Sequence, residues 1–447
     1  MQSANTIMIP KYKLTCLLLA ALPLFCFAQE NSPYSRYGIG NLVPQGNISN
    51  RGIGGVSAGV SDPTTVNTVN PASYSNLIYT TLDVGLEYDG RNLKSKNPQG
   101  SYKSNNGIIS YLQLGLPLLN GNKKAMKNNT AWALTFGLKP ISKINYKIQA
   151  SNNQNSGDTT STVYEGSGGV NEAFVGTAVR FKKFSIGLNT GYLFGEKDYS
   201  SRLFFSNDTI AYKSANFASK ARFGGMFFTG GVQYAFDLKK NGKKNGILRL
   251  GVYGNLKRQY TASKDDVRET FNYDANGSPV TQDSIYSKTG QKGKVQMPVT
   301  FGGGFSFEKE HVLFGVDIET TQWDDYRFFG QKDLVKNNWT TRVGVQYYPA
   351  SLGTTGYFNF VKYRAGISFG NDYINVDNKL PLYNVSVGGA FPLKLKHSFY
   401  DLQYSVMNLS FEYGNRGNKD NNITENIYKV SVGFSLSDVW FRRQKYQ

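Results

Sequence analysis

Fourteen stretches of the chain alternate apolar with small or polar residues at period two. In the last of them Tyr428, Val430, Val432, Phe434 and Leu436 share one face, and Lys429, Ser431, Gly433 and Ser435 share the other. Such a segment reads as a strand with one apolar and one wetted side. Beyond the N-terminus no stretch has the apolar length of a membrane-spanning helix. Backbone groups in hydrocarbon must be satisfied internally, so half-apolar strands cross a bilayer only as a closed barrel. The expected fold is all-β: a transmembrane antiparallel β-barrel of about 14 strands with an N-terminal hatch, or plug, inside the lumen.

The chain opens like a secretory leader. Lys11 and Lys13 form its charged end, Leu14 to Phe27 its apolar core, and Cys26-Phe27-Ala28 a cleavage site before Gln29. Phe25 stands where a lipobox needs a small residue, which argues against a lipid anchor. The two cysteines, Cys16 and Cys26, both fall in the leader, so the mature chain is expected to have no disulfide, zinc–thiolate site or cysteine nucleophile. A mean hydropathy of −0.40 suits a soluble protein, but half of every barrel strand is polar, so it does not decide. The 30 Tyr and 29 Phe suit interfacial girdles. Net charge is +19, or +17 without Lys11 and Lys13. An exported chain is not expected to meet nucleic acid. Its basic loops fit outer-membrane lipid headgroups or lipopolysaccharide, or simply a solvated basic surface.

Three regions follow: a signal peptide over 1–28, an N-terminal extension and hatch over 29–77, and a barrel with a short basic tail over 78–447. The strands are expected near 78–88, 106–116, 131–148, 171–181, 184–194, 221–236 and 246–257. The remaining seven are expected near 295–308, 311–322, 338–348, 361–370, 383–393, 404–414 and 426–436. An even count returns both ends to the periplasm. The connections at Lys182-Lys183 and Lys309-Glu310 are tight, as periplasmic turns should be, while those after strands three, five and seven read as long polar outer loops. The longest of these is near 259–293. Two connections on the periplasmic side, near 117–130 and 349–360, are longer than that rule prefers.

Alternation also assigns faces. Trp132, Leu134, Phe136 and Leu138 are expected toward lipid, as are Val312, Phe314, Val316 and Ile318. Arg180, Arg249, Asp317, Glu319, Arg342, Arg364 and Glu412 then point into the lumen. A charge turned to the acyl chains costs about 2–4 kcal/mol at the midplane for Lys or Arg, so their shared inward register supports the assignment. These charges are read chiefly as structural networks.

The segment Arg51-Gly52-Ile53-Gly54-Gly55-Val56-Ser57-Ala58-Gly59-Val60-Ser61-Asp62-Pro63, followed by Asn70-Pro71-Ala72 ahead of Leu77-Ile78, resembles the hatch of the FadL-like outer-membrane transporters. Tyr413-Gly414-Asn415-Arg416-Gly417 in the penultimate hairpin resembles the same family and its Bacteroidetes relatives. The resemblance singles out Gly54, Gly55, Asp62, Asn70, Pro71 and Ala72 as hatch motif residues. It implies a monomeric barrel of the Gram-negative outer membrane, inserted by the barrel-assembly machinery, that passively moves hydrophobic, fatty-acid-like molecules. In that family the solute leaves sideways through an opening made by a kinked strand. Pro140 interrupts the third strand and lacks a backbone donor, so it marks either such a kink or a proline where the strand leaves the membrane. The chain departs from the family in an aromatic, basic extension, Ser32-Pro33-Tyr34-Ser35-Arg36-Tyr37-Gly38-Ile39-Gly40, and in ending on Trp440-Phe441 and a basic tail. Phe434 or Phe441 would then serve as the terminal aromatic recognised in assembly.

Enzyme chemistry has little footing. The two histidines, His311 and His397, fall in expected turns, away from any serine on the lipid face. No cofactor motif or metal-ligand spacing is present, and Asp265-Asp266 and Asp324-Asp325 read better as solvated loop acids than as calcium ligands. Two functions remain. One is passive transport of a hydrophobic or amphipathic small molecule. The other is a non-transporting accessory subunit of an outer-membrane secretion or assembly complex, as in type IX secretion systems.

Overall fold

The computed structural model describes residues 32–119, 129–153, 159–206, 212–240, 243–274, 276, 279–351, 355–376, 379–393 and 404–438. The leader, His397 and the C-terminal aromatic tail lie outside the described residues. Among the described residues no helix is long and apolar enough to cross a membrane.

Fourteen antiparallel strands close into a barrel. They are β1 (Thr80–Lys96), β2 (Gln99–Pro117), β3 (Thr130–Asn153), β4 (Thr159–Phe181), β5 (Phe184–Ser206) and β6 (Ser214–Lys240). Then come β7 (Lys243–Asn255 and Arg258–Tyr273), β8 (Pro279–Met297 and Thr300–Lys309), β9 (Val312–Thr321) and β10 (Asn338–Tyr347). The last four are β11 (Lys362–Asn371), β12 (Pro381–Pro392), β13 (Tyr404–Arg416) and β14 (Ile423–Asp438). β14 pairs with β1 from Asp438 opposite Thr80 to Ile423 opposite Ser95, so the sheet closes on itself. Pro298 has no amide to offer the ladder, and β7 and β8 break at the same level, with Asn255 opposite Thr300 below the break and Arg258 opposite Met297 above it.

Period two holds where the strands meet lipid. Trp132, Phe136 and Leu138 are exposed, as are Val312, Phe314 and Ile318, while the intervening Ala133, Thr135, Gly315 and Asp317 are buried. Tight turns join β4 to β5 at Lys182-Lys183 and β8 to β9 at Glu310-His311, each with a positive φ at its first residue.

The wall is uneven in height. β9, β10 and β11 have 10 residues each, about one bilayer crossing. β3 to β6 have 23 to 27 residues and stand well beyond it on the side opposite the tight turns. This corrects the reading of 259–293 as a long polar loop. Arg258–Tyr273 pairs with Pro279–Met297 as a β-ribbon, and Asp265 and Asp266 lie on its first strand rather than in a loop. Residues 281–290 are exposed on both faces, so no alternation marked them as strand. The connection after strand three is likewise short, because β3 and β4 continue pairing to Asn153 opposite Thr159. Asp324 and Asp325 lie in a short 3-10 helix, Trp323–Asp325.

One seam is incomplete. β2 and β3 pair only from Pro117 opposite Ala133 to Leu112 opposite Leu138. Past that point β2 pairs only with β1, and β3 pairs with β4 through a register shift between Pro140 and Ser142. The Pro140 carbonyl accepts from Gln45 Nε2 at 3.2 Å, so its backbone faces the seam, where proline has no N–H to continue the ladder. Ladder pairing resumes in the hatch: Asn41–Leu42 forms a two-residue strand against Lys143 and Ser142, and Val43 N donates to the Ile141 carbonyl at 2.9 Å.

Candidate functional site

Residues 32 to 79 fold inside the barrel, and most of them are buried. Their local structure is short: a 3-10 turn at Pro33–Arg36, one helical turn α1 (Ile48–Arg51) and a 3-10 turn at Pro71–Asn76. Asn47 caps α1, its side chain accepting from Asn50 N at 2.8 Å. Asn70 starts the second 3-10 turn by accepting from Ala72 N at 3.1 Å, with Pro71 at the first position. The Asn70 amide also donates to the Ala58 carbonyl at 2.8 Å, which ties the two ends of the hatch motif together. Gly54 and Gly55 lie at φ +73° and +86°, where a side chain would be strained.

The hatch follows the inner wall against chain order. Ile48 packs at Gly433 of β14, Gly52 at Gly388 of β12, Gly54 at Gly366 of β11 and Ile53 at Gly344 of β10. Val56 then meets Gly315 of β9, Ala58 meets Gly251 of β7, Asn70 meets Gly231 of β6 and Pro71 meets Gly187 of β5. A Cβ on Gly251 would lie 1.8 Å from the Ala58 carbonyl oxygen, so the wall must be bare there for the hatch backbone to seat. The inward glycines form a ledge that carries the hatch round the barrel.

Charge fixes the hatch to one half of the wall. The Arg51 guanidinium pairs with Glu87 of β1 and with Glu412 of β13, the latter at 2.6 Å. Burial alone would depress the Arg51 pKa, but the two carboxylates hold it above its ordinary value. Asp317 Oδ2 accepts from Ser57 N at 2.5 Å and Ala58 N at 2.8 Å. Asp62 pairs with Lys362 at 3.0 Å. Burial would raise the Asp62 carboxyl, yet Lys362 and two hydrogen bonds from Thr64 hold it well below the usual carboxylate range. Around these, Arg91 pairs with Asp89 and Glu425, Arg416 with Asp372 and Glu425, Lys429 with Glu87 and Asp89, and Arg342 with Glu319. Arg364 donates to the amide oxygens of Gln346 and Asn408.

The other half is apolar. Phe174, Leu193, Phe223, Phe227, Tyr260 and Val295 pack with Tyr34 and Ile39 of the hatch. Its ion pair at this level is Lys139–Glu172, at 3.7 Å. Arg180 Nη1 donates to Asn76 Oδ1 at 2.6 Å, and Arg249 is buried lower on the same side.

Between the halves lies a cavity of about 420 Å³. Gly54, Gly55, Thr68 and Val69 of the hatch floor it, with Phe174, Leu193, Phe227 and Tyr260 on one wall and Arg51, Glu412, Arg416 and Lys429 on the other. Asn41, Leu42, Val43 and Ile141 line it where the β2–β3 seam is incomplete. The roof is aromatic: Trp323 packs tilted against Tyr373 with ring centroids 4.2 Å apart, and Tyr326 and Tyr373 donate to the Gly38 and Gly40 carbonyls. Gly38 N donates to Asp333 at 2.8 Å, closing the loop end over the cavity.

Of the residues singled out from sequence, the wall residues Glu412, Asp317 and Arg180 touch the hatch directly, Asp62 reaches from the hatch to Lys362 of the wall, and Glu319 and Arg342 pair with each other beside it. Sequence reasoning missed Arg51, Glu87, Arg91, Arg416 and Lys429 as one network. The signal was present in β1, where Asp83, Glu87, Asp89 and Arg91 recur on one face at even spacing. Among the described residues no three His, Cys, Asp or Glu side chains gather as a metal site would need.

No curated protein matches the chain. Among solved structures, the toluene transporter TodX of Pseudomonas putida is 14% identical with a TM-score of 0.53, over 90% of this chain and 100% of that one. The monoaromatic hydrocarbon channel CymD is 13% identical with a TM-score of 0.51, over 90% and 99%. A FadL homologue of Pseudomonas aeruginosa is 12% identical with a TM-score of 0.50, over 89% and 98%. At such identity the likeness is one of fold, a FadL-like barrel. The model of the BamG family matches residues 8–447, which takes in the hatch and every strand of the wall; the chain belongs to the BamG family.

Proposed function

We propose that the barrel takes up an amphipathic, fatty-acid-like molecule into the cavity above the hatch and releases it sideways between β2 and β3, passively, in the Gram-negative outer membrane. The observation that carries this reading is the incomplete seam: the ladder stops at Leu112 and Leu138 beside Pro140, and the cavity reaches that point. A cavity with one apolar and one charged wall fits a solute with a tail and a polar head. The hatch strand Asn41–Leu42 occupies the freed edge of β3, so it is the element to move when the opening widens.

The chain has no cysteine beyond Cys16 and Cys26, which allows a clean test. Leu42→Cys with Ser142→Cys joins two residues opposite each other in the hatch–β3 pair. Oxidation is expected to cut transfer of a fluorescent fatty acid by the reconstituted protein at least about tenfold, with recovery on reduction and normal transfer in each single variant. Transfer by the oxidised protein at the wild-type rate sinks the lateral route.

A second reading, an accessory subunit of a larger membrane assembly, is favoured by the β7–β8 ribbon. Ile285 is 74% exposed and Tyr286 41%, and the ribbon's outer strand has an open edge above the short strand β9. Open edges recruit other strands. Photocrosslinking from Ile285 in cells is expected to capture one stoichiometric protein under this reading and lipid or nothing under the first.

A further inference from the structure

We propose that Arg180 and Arg249 form a binding site for a phosphate group at the turn end of the lumen, beneath the hatch. Arg51 of the hatch and Arg91, Arg342 and Arg416 of the wall each meet at least one carboxylate. Arg180 and Arg249 depart from that pattern. Arg249 is 9% exposed, and among the described residues no hydrogen bond or ion pair engages its guanidinium. Arg180 has one neutral acceptor, Asn76, and its Nε is buried with no partner. Strand register brings them to one level of the wall: Arg180 lies opposite Ser185, Ser185 opposite Gln233, and Ala235, two residues on, opposite Arg249, while Glu308 is solvent-exposed and among the described residues forms no ion pair with Arg249.

Two like charges held together in a low-dielectric lumen destabilise the fold unless an anion joins them. Guanidinium forks match the oxygens of phosphate with paired hydrogen bonds. The surrounding rim is basic in sequence: Lys182-Lys183 form the turn joining β4 to β5, and Lys239-Lys240 and Lys243-Lys244 are the facing ends of β6 and β7. Asp237, which pairs with Lys183 at 3.2 Å, answers only part of that charge. Asn76 and Ser61 of the hatch, joined at 3.2 Å, complete a polar ceiling.

The phosphate has two possible sources, a free phosphorylated solute and a phospholipid headgroup at the rim. The test uses the full chain in uncharged detergent. Inorganic phosphate is titrated against chloride at constant ionic strength while thermal unfolding is followed. In a second arm phosphatidylglycerol is added and retained lipid is counted by native mass spectrometry. The wild type is expected to be stabilised saturably by phosphate, or to retain one phosphatidylglycerol. Arg249→Gln is expected to weaken that response at least about tenfold, the size of one charge-assisted hydrogen bond. Without anion the order should invert, with Arg249→Gln unfolding at a higher temperature than wild type because the repulsion is gone. Arg180→Gln, on the more exposed partner, gives the same readout should Arg249→Gln fail to fold. A response to phosphate alone identifies a soluble ligand, and retention of lipid alone identifies a headgroup. Equal responses in wild type and both variants, in both arms, overturn the proposal.

Discussion

On β1 and β9–β14 the hatch is gripped by charge, with Arg51 between Glu87 and Glu412 and Asp62 on Lys362. On β3–β8 it leans on rings and aliphatic groups, Phe174, Leu193 and Phe227 among them, and meets two arginines with no acid to answer them. The first half is short and its ladder is continuous from β9 through β14 to β1. The second is tall and its border with β2 is broken. A buried ion pair is directional and costly to separate, whereas apolar contact slides at little cost. The contrast therefore assigns anchoring to one half and movement to the other.

The hardest blow to that contrast is Arg51→Ala. Among the described residues it leaves Glu412 with no cation and Glu87 with Lys429 alone, and it is expected to cost about 3–5 kcal/mol of stability, measured by chemical unfolding in detergent. Replacing Glu87 and Glu412 with Gln in the same chain should recover much of the loss, because the neutral set has no orphaned charge. No recovery would mean that the triad's packing, not its charge, holds the hatch. Gly251→Ala comes next. The added methyl must push the Ala58 carbonyl off the ledge, at about 1–3 kcal/mol, and limited trypsin digestion should then reach Arg51 faster than in wild type.

The smallest effect is expected from Asp62→Asn. A carboxyl held below its usual value contributes stability that is complete above its unfolded pKa, about 3.9, and is lost as the pH falls toward its folded value. The melting temperature of wild type should thus exceed that of the variant at pH 7, and the gap should narrow below about pH 4. A gap independent of pH would remove the Asp62–Lys362 pair from the anchoring half.

The membrane-crossing parts of the strands were legible because lipid on one side and lumen on the other impose strict alternation, as in Val312, Phe314 and Ile318 against Gly315 and Asp317. Above the membrane that constraint ends. Thr281 to Gly290 meets water on both faces, and its strand character is carried by pairing with Val267 to Phe271 rather than by any pattern. Pro140 advertised a fault in the third strand, but nothing in Asn41–Leu42 announced that the hatch would pair with the freed edge: two residues are too few to show a period. The ledge was hidden for a different reason. Gly344 and Gly366 look like ordinary inward residues of small size until the backbone that fills their missing side chains is in place.

Seating the hatch and sealing the cylinder are coupled events. Ser32 and Tyr34 donate to Glu425 and to the Ile423 carbonyl of the final strand, and Ile48 rests on Gly433 of the same strand. That strand is synthesised last and zips to the first. These N-terminal residues thus wait for the final strand before they have a place to dock, nearly 400 positions away along the chain. Contacts of such sequence separation form slowly. Whatever escorts the nascent polypeptide must keep its N-terminal segment sheltered until the seam closes.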